Sequence, residues 1–483
     1  YDPSGGGMRI ENSSPTIASC TFYDNRSRNG GGMYIGSGNP TITSCTFKEN
    51  YASNNYTWNT RSGGGAIYIE PEASATISNC LFKDNRSRES SAGINCRSDN
   101  VVIDNCIFDG NDNDPGSTYG AAMQITGNAI ISNSSFINHN GNGAIAVGSG
   151  VSLGKKTDIN PTFTNCYFYN NKGYRRGGAI TFKNCSECAP IISNCTFDYN
   201  RSSGSNYAGY ESGGAIALNG STSSTGSGGG NYTISNCTFT NNLSEGGGAI
   251  ATAENVYLTA PLSLIITDCI FDNNEGNYVA NQGPGGAIYL ETHAQSAYTA
   301  YTQLINCTFT NNEAKSGGAL YLGDEVDIQQ CIFTDNVADY GSNATANGGA
   351  IYFTSTANVQ IISTTISNNY VDDTMWENLG GHAMAIANDS QVSIINSIIY
   401  DNNDQIFSSA DYPNLSISYT DIEGGFEGLG NIDLDPLFVD ADGGDYSLSN
   451  YSPCIGAGLN TSIVGTTDIE GNPRPNPSDS NPD

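Results

Sequence analysis

The stretch GGGAIYIEPEASATISNCLFKDN at residues 63–85 decides the fold, because close copies of it recur at residues 246–274, 285–312 and 317–336. Each copy joins a segment like Gly-Gly-Ala-Ile-Tyr-Ile to a variable loop and then to a segment like Ile-Ser-Asn-Cys-Thr-Phe-x-x-Asn. Short runs of β-branched and aromatic residues separated by Gly, Asn and Ser are typical of strands. Three such runs in a repeat of about 30 residues predict three strands in each coil of a solenoid.

Aligned on their cysteines, the repeats contain three columns of similar residues. The cysteine column contains only small residues, namely Cys20, Cys45, Cys80, Cys106, Ser134, Cys166, Cys195, Cys237, Cys269, Cys307, Cys331, Thr364, Ser397 and Thr420. The phenylalanine column lies two residues later and contains Phe22, Phe47, Phe82, Phe108, Phe136, Phe168, Phe197, Phe239, Phe271, Phe309, Phe333, Ile366, Ile399 and Ile422. The asparagine column lies three residues further on and contains Asn25, Asn50, Asn85, Asn111, His139, Asn171, Asn200, Asn242, Asn274, Asn312, Asn336, Asn369 and Asn402.

These columns predict coils stacked in register, with the same residue type in the same place in each coil. We expect an all-β fold, a single-stranded parallel β-helix of about fourteen coils like the solenoid of the pectin lyases. The crossover rule for parallel strands makes it right-handed.

The spacing inside the repeat predicts a sharp bend. The Ile before Ser-Asn and the Phe after Cys-Thr lie five residues apart, so they cannot both face inward along a straight strand. We expect corners at the intervening asparagines, which tolerate the left-handed conformation: Asn79, Asn105, Asn133, Asn165, Asn194, Asn236 and Asn306. In the Gly-Gly-Ala-Ile-Tyr-Ile segment the aliphatic residues should face the core and the tyrosine should face outward.

The charge of the chain excludes several partners. It has 18 Lys and Arg residues against 48 Asp and Glu residues, a formal net charge of −30. Such a charge repels nucleic acid and anionic lipid. No apolar run approaches the roughly 18 residues of a membrane span. The N-terminal Tyr1-Asp2-Pro3 is not a signal peptide, so we expect a mature chain or an excised piece.

The paired Gly-Gly-Ala-Ile and Phe-x-x-Asn motifs resemble the β-helix repeats of the chlamydial polymorphic outer-membrane proteins over about residues 5–425. Downstream, residues 419–425, 435–440, 452–458 and 468–475 resemble the closing segment of secreted bacterial β-helix proteins. We therefore divide the chain into a repeat domain at 1–425 and a closing segment with a Pro-rich tail at 426–483. The resemblance implies an extracellular or cell-surface location and a structural or adhesive role.

The fold also hosts polysaccharide lyases and glycoside hydrolases, which need clustered carboxylates, often with Ca²⁺ or a basic residue. The sequence lacks the polygalacturonase motifs, and His139, His293 and His382 fall in different coils. We expect no catalytic residues and no enzyme activity, and we keep a polysaccharide lyase or glycoside hydrolase as the alternative hypothesis.

Calcium is the one candidate cofactor, because two loops concentrate oxygen donors. These candidate ligands are Asp112 and Asp114 in one loop, and Asp440, Asp442 and Asp445 in the other. Neither loop has the full spacing of a known Ca²⁺ loop, and ordinary Asx turns are the favoured interpretation.

The cysteines are expected to be mostly free. Parallel in-register strands place the Cβ atoms of the cysteine column side by side, a geometry that disfavours disulfide bonds. Cys96 falls on an inward strand position and should also be buried. Cys185 and Cys188 lie in a loop and are the candidates for a small disulfide.

The candidate glycosylation sites are the loop sequons at Asn55, Asn219, Asn231, Asn343 and Asn388.

The outward tyrosines are the candidate binding residues. Tyr289, Tyr321 and Tyr352 should form one exposed aromatic strip, and Tyr34 and Tyr68 a shorter one. Such strips can bind sugar faces or another protein, but mutual stacking alone is the favoured interpretation. Because Gly5 already opens the first coil, its strand edges need a cover. Either upstream residues were lost or another copy docks there, which would build a filament end to end. Surface glycans and host or neighbour-cell proteins are the other candidate partners.

Overall fold

A computed structural model describes residues 4–53, 63–88, 90–113, 120–141, 143–148, 158–174, 177–183, 186–203, 213–218, 228–252, 258–276, 283–292, 296, 298–339, 347–354, 357–372, 381–387, 389–402, 405–408, 414–459, 467–469 and 471–473. The chain forms two compact units. The first comprises Tyr1–Ser263 and Thr292–Thr299, and the second comprises Leu264–Glu291 and Ala300–Asp483. The division at residue 425 that the sequence suggests stays a prediction.

Each coil contributes one strand to each of three faces, and within each unit a strand pairs in parallel with the equivalent strand of the next coil. The first face of the first unit contains Met8–Ile10, Met33–Ile35, Ile67–Ile69, Ile94–Cys96, Met123–Ile125, Ile145–Val147, Ile180–Phe182, Ile216–Leu218 and Ile250–Thr252. In the second unit this face contains Ile288–Leu290, Leu320–Leu322, Ile351–Phe353, Met384–Ile386 and Ile406–Ser408.

The second and third faces follow in each coil. The second face contains Thr16–Ala18, Thr41–Thr43, Ala75–Ser78, Val101–Asp104, Ala129–Ser132, Thr162–Thr164, Ile191–Ser193 and Gly230–Ser235, then, in the second unit, most of Leu262–Thr267, Ala300–Ile305, Glu325–Gln329, Asn358–Ile362, Gln391–Ile395 and Leu415–Ser418. The third face contains Thr21–Tyr23, Thr46–Lys48, Leu81–Lys83, Ile107–Asp109, Ser135–Ile137, Tyr167–Tyr169, Thr196–Asp198 and Thr238–Thr240, then, in the second unit, Ile270–Asp272, Thr308–Thr310, Ile332–Thr334, Thr365–Ser367, Ile398–Tyr400 and Asp421–Ile422.

The predicted core is confirmed. Phe82 and Phe108 pair in register on the third face, with ring centroids 4.5 Å apart and planes 7° from parallel. The aliphatic residues of the first face, such as Ile67 and Ile69, are fully buried. Stacked rings and in-register aliphatic side chains give each coil a continuous apolar contact with the next, so that stability accumulates along the solenoid. The described chain is therefore the predicted all-β, parallel β-helix.

The predicted corners are confirmed. All seven corner asparagines have positive φ, from 48° at Asn105 to 56° at Asn306. Ser19, Ser44, Asp268 and Gln330 take the same conformation at the equivalent corner of other coils. The left-handed region is least costly for Gly, Asn and Asp, which explains why asparagine recurs here.

A second corner, which the sequence analysis missed, lies immediately before the asparagine column. It also has positive φ, at Asp84, Gly110, Asn138, Asn170 and Tyr199 among others. The chain turns there into a short fourth strand, so the prediction of three strands per coil was incomplete. These strands are Arg26–Ser27, Tyr51–Ala52, Arg86–Ser87, Asp112–Asn113, Asn140–Gly141, Lys172–Tyr174 and Arg201–Ser203 in the first unit, and Glu313–Ala314, Val337–Asp339 and Tyr370–Asp372 in the second.

The closing segment contains an antiparallel hairpin of Phe438–Asp440 and Asp445–Leu448. A single 3₁₀ turn, Ala441–Gly443, connects the two strands. Asp440 begins this turn, and its carboxylate Oδ1 accepts a hydrogen bond from the Gly443 backbone N at 3.2 Å. Gly444 ends the turn in the left-handed conformation, with φ of 84°.

Candidate functional site

The asparagine column is buried from Asn50 onward, and its side chains link consecutive coils. Asn85 Nδ2 donates to Asn111 Oδ1 and to the Phe47 carbonyl, both at 2.9 Å. Asn85 Oδ1 accepts hydrogen bonds from the backbone N and from Nδ2 of Asn50, both at 3.0 Å. The amide group thus makes four hydrogen bonds inside the protein, and a buried amide with this pattern is a structural element.

His139 takes the place of an asparagine in this column. Its backbone N donates to Asn171 Oδ1 at 3.2 Å, and its ring Nδ1 lies 3.1 Å from the Asn111 carbonyl oxygen. Its ring Nε2 is buried without a hydrogen-bond partner. Burial lowers the pKa of His139 to about 4, so the ring is neutral at pH 7. His382 Nδ1 accepts a hydrogen bond from the Val371 backbone N at 3.3 Å, and His293 lies outside the described residues.

The thiols of the cysteine column are free and buried, with the exception of the exposed Cys20. Cys80 Sγ donates to the Ser78 carbonyl at 3.1 Å, and this contact recurs at the other column cysteines. Burial raises the pKa of Cys45, and it raises the pKa of the equally buried Cys96 to about 12. Since the thiolate is the reactive form, the raised pKa makes Cys45 and Cys96 poor nucleophiles and metal ligands.

Cys188 is buried and takes part in a disulfide bond, but Cys185 lies outside the described residues. The pairing of these two cysteines therefore stays a prediction.

Of the candidate glycosylation sites, only Asn231 is described. It is exposed, and its backbone N donates to the Cys188 carbonyl at 2.7 Å. Asn55, Asn219, Asn343 and Asn388 lie outside the described residues, so glycosylation stays a prediction.

The tyrosine columns stack as predicted, but they are not exposed strips. The ring centroids of Tyr321 and Tyr352 lie 4.8 Å apart and those of Tyr289 and Tyr321 lie 5.4 Å apart. Tyr34 and Tyr68 stack at 5.8 Å. The prediction of exposure was wrong for Tyr289, which is only 2% exposed, and for Tyr68, which is 5% exposed.

Tyr68 and Tyr289 are buried because residues just beyond the first-face strands cover the outward rings. Arg97 Nη1 donates to the Tyr68 hydroxyl and to Glu70 Oε2, both at 3.0 Å. The Tyr34 hydroxyl donates to Glu70 Oε1 at 3.1 Å, and burial together with this carboxylate raises the pKa of Tyr34. In the second unit, the Tyr289 hydroxyl donates to Glu291 Oε2 at 2.9 Å. These contacts favour mutual stacking and packing over ligand binding at the tyrosine columns.

The candidate calcium loop at residues 440–445 is organised as turns. Asp445 Oδ1 accepts a hydrogen bond from the Ser447 backbone N at 3.0 Å, and its hydrogen bonds to Ser447 lower the pKa of Asp445. Asp440 holds the 3₁₀ turn, and Asp442 lies in the first turn of that element. Asp112 lies on a short strand, and Asp114 is outside the described residues. In the part of the chain that the structure describes, no group of three or more His, Cys, Asp or Glu side chains is placed to hold a metal ion.

A group of three tyrosines on the third face of the first unit and the corner that follows it, two of them exposed and Tyr169 half-buried, was missed by the sequence analysis. The rings of Tyr167 and Tyr169 stack at 5.8 Å, and Tyr199 meets Tyr169 edge-on at 6.0 Å. Tyr167 is 37% exposed and Tyr199 is 55% exposed. We call these residues the tyrosine patch. The signal in the sequence was Tyr-Phe-Tyr around an inward phenylalanine, where both tyrosines must point outward.

Tyr199 is unusual because it occupies the second corner, with φ of 53°. Bulky residues seldom adopt the left-handed conformation, which costs roughly 1–3 kcal/mol, and such strain is concentrated at functional positions. Asp198, paired in register with Tyr169, lies beside the patch, and Asn170 Nδ2 donates to Asn138 Oδ1 at 2.9 Å along the same corner. The patch thus combines exposed aromatic rings with neighbouring carboxylate and amide groups.

Comparison with known families agrees with the parallel β-helix fold. The family described as right handed beta helix region matches residues 1–156, 51–226 and 286–430, which together are more than half of the chain. The chain belongs to the right handed beta helix family. This right-handed β-helix protein also contains, at residues 236–253, a segment similar to the Chlamydia polymorphic membrane protein repeat, as the sequence predicted. No curated protein matches the chain. None of the described residues belongs to a helix with the length and hydropathy that crossing a membrane requires.

Proposed function

We propose that this β-helix protein is a non-catalytic extracellular protein that supports structure or adhesion at a cell surface. The similarity to the polymorphic membrane protein repeat supports a surface role. The hydrogen bonds inside the protein support a structural role, because the amides of the asparagine column bond one coil to the next. Burial likewise raises the pKa values of core thiols such as Cys45 and Cys96.

The observation that carries the proposal is the tyrosine patch, and the ligand we infer is a surface glycan. Exposed tyrosine rings offer apolar faces on which the faces of sugar rings pack, while their hydroxyls reach sugar hydroxyls. The Asp198 carboxylate, paired in register with Tyr169, lies beside these rings. Its Oδ1 accepts hydrogen bonds from Thr240 Oγ1 at 3.0 Å and Asn241 Nδ2 at 2.8 Å, and we assign its other oxygen as the acceptor for a sugar hydroxyl. The net charge of −30 disfavours strongly anionic glycans, so neutral sugars are the expected class.

Glycan-array binding of the full chain tests this proposal. We expect retention on neutral glycans, reduced at least tenfold in Tyr199→Ala and Tyr167→Ala. Tyr451→Ala is the matched control, because Tyr451 is highly exposed but lies outside the patch. Undiminished binding by both patch variants would contradict the assignment. Release of unsaturated or reducing sugars during the assay would support the lyase or hydrolase alternative.

We also propose that copies of the chain associate end to end. Adjacent coils meet through repeated contacts, such as Phe82 on Phe108 and Asn85 on Asn111, so the end coil of a second copy can continue the same pattern. The same preparation examined by electron microscopy should show filaments. A field of single particles at high protein concentration would contradict this association.

A further inference from the structure

The first corner of the coils has the same left-handed backbone in both units, but it is covered in one unit and open in the other. In the second unit the corner residues Gln330, Asn396 and Tyr419 are half-buried. In the first unit six asparagines at this corner are exposed, and their φ lies between 48° and 55°. These residues are Asn79, Asn105, Asn133, Asn165, Asn194 and Asn236. The first unit thus presents an open version of a surface that is occupied in the second unit.

The cover in the second unit is the closing segment of the chain itself. Asn396 Nδ2 donates to the Leu459 carbonyl at 2.9 Å, and the Leu459 backbone N donates back to Asn396 Oδ1 at 2.7 Å. Gln330 Nε2 donates to the Thr467 carbonyl. A side-chain amide at this corner therefore pairs with the backbone of a polypeptide, much as a neighbouring strand would.

Isoleucines beside the corner add apolar contact in the second unit. Ile332 and Ile398 lie on the third face, two residues after corner residues, and both are half-buried. Both line the space between the last coils and the closing segment, which Ile455 of the closing segment also lines. The corner of the second unit thus binds a polypeptide by two means, hydrogen bonds from amide to backbone and apolar contacts beside them.

The open corner of the first unit presents the same amide groups. Asn133 Nδ2 donates to Asp104 Oδ1 at 2.7 Å, and Asn133 Oδ1 accepts a hydrogen bond from Asn165 Nδ2 at 3.1 Å. An amide has two hydrogens and two oxygen lone pairs. These two bonds therefore leave one donor and one acceptor of the exposed amide for a polypeptide backbone, which is the pair that Asn396 offers to Leu459.

Aliphatic side chains flank these amides on both sides. Ile107 lies two residues after its corner, like Ile332 and Ile398, but it is 47% exposed. Val102 and Ile130 pair in register on the second face, three residues before their corners, and both are exposed. Adjacent exposed apolar side chains are typical of interaction sites. We call the following residues the first-corner surface: Val102, Asn105, Ile107, Ile130 and Asn133.

The charge beside the first-corner surface limits the kind of polypeptide that fits. The Asp104 carboxylate accepts hydrogen bonds from Ser132 Oγ and Asn133 Nδ2, both at 2.7 Å. A carboxylate at this place repels an acidic segment and favours an uncharged or basic one. The net charge of −30 on the chain acts in the same direction.

We propose that the first-corner surface binds a segment of a partner protein that is uncharged or basic and carries aliphatic side chains. The backbone of this segment pairs with the corner amides, as Leu459 pairs with Asn396, and its aliphatic side chains pack on Val102, Ile107 and Ile130. The occupant is another protein because the chain's own closing segment is already bound in the second unit. This function is separate from glycan recognition at the tyrosine patch.

Fluorescence polarisation of a labelled peptide of residues 455–467 tests the proposal, because this uncharged stretch contains both Leu459 and Thr467. We expect saturable binding to the full chain. The same peptide N-methylated at Leu459 lacks the backbone donor that Asn396 uses in the second unit, and it should bind at least tenfold more weakly. Equal binding of the two peptides, or no saturable binding, would overturn the proposal.

Substitutions in the full chain locate the peptide. Ile130→Ser and Asn133→Gly should each weaken its binding about tenfold, and glycine at position 133 keeps the left-handed backbone. Tyr174→Ser is the matched control, because Tyr174 is exposed on a fourth strand of the same unit, outside the first-corner surface. Loss of binding in Asn396→Gly together with full binding by Ile130→Ser would place the peptide in the second unit and contradict the proposal.

Sedimentation velocity distinguishes a partner protein from a second copy of the chain. Ile130→Ser should form particles of the same size as the wild-type chain at every concentration. Smaller particles in Ile130→Ser would assign the surface to contacts between copies and overturn the assignment to a partner protein. Circular dichroism checks that each variant is folded, and the comparison of the two peptides keeps the test decisive because it needs no variant of the chain.

Discussion

Replacing Asn85 by alanine should lower the free energy of unfolding by about 3–5 kcal/mol. The substitution removes the four side-chain hydrogen bonds that join Asn85 to Asn50, Phe47 and Asn111. It leaves the Asn50 amide, the Phe47 carbonyl and the Asn111 amide oxygen inside the solenoid with fewer partners. Each buried polar group left unpaired costs about 1–3 kcal/mol. Urea denaturation followed by circular dichroism measures the loss.

Thr76→Ala is the matched control for this substitution, because Thr76 is an exposed residue on the second face of the same coil. It should change the free energy of unfolding by no more than about 0.5 kcal/mol. A loss in Asn85→Ala as small as that in the control would mean that the asparagine column does not hold the coils together.

Replacing His139 by asparagine should make stability less sensitive to acid. The pKa of His139 is about 4 in the folded chain, against about 6.5 for an unperturbed histidine. Between these values the unfolded chain binds a proton that the folded chain does not, so stability falls as the pH falls from 6.5 toward 4. From the pKa difference, the wild-type chain should lose about 3 kcal/mol more than His139→Asn by pH 4.

Urea midpoints of the two proteins at pH 7, 5.5 and 4 provide the measurement. Protonation of carboxylates acts on both proteins equally, so the difference between the two curves isolates His139. Parallel curves over this range would contradict the low pKa and the burial that causes it.

The regular part of the fold could be predicted from the sequence because it repeats. The spacing of Ile77 and Phe82 required a bend, and Asn79 was the residue that could make it. The second corner was missed because its occupants are diverse, from Asp84 to Gly110 to Tyr199, and because the strand that follows has only two or three residues. A segment that short contains no periodicity from which a strand could be predicted.

The candidate binding residues were harder to predict, because exposure depends on contacts between segments that are distant in sequence. Strand alternation correctly directed Tyr68 outward, but it could not reveal that Arg97, 29 residues later, covers the ring. Conversely, Tyr199 lies at a corner outside any alternating pattern, and only the fold places it against Tyr169. The contact between Asn396 and Leu459 was beyond sequence analysis for the same reason, since the two residues meet across 63 positions of the chain.

The claim that the repeated spacing places the cysteine column inside the solenoid is tested most directly by alkylation of the native chain with iodoacetamide, followed by mass spectrometry of each cysteine. Cys20 is exposed and should react, whereas the buried Cys80 and Cys106 should react only after denaturation in urea. Modification of Cys80 and Cys106 at the rate of Cys20 in the native chain would contradict the inward cysteine column, and with it the structural role that we assign to the repeats.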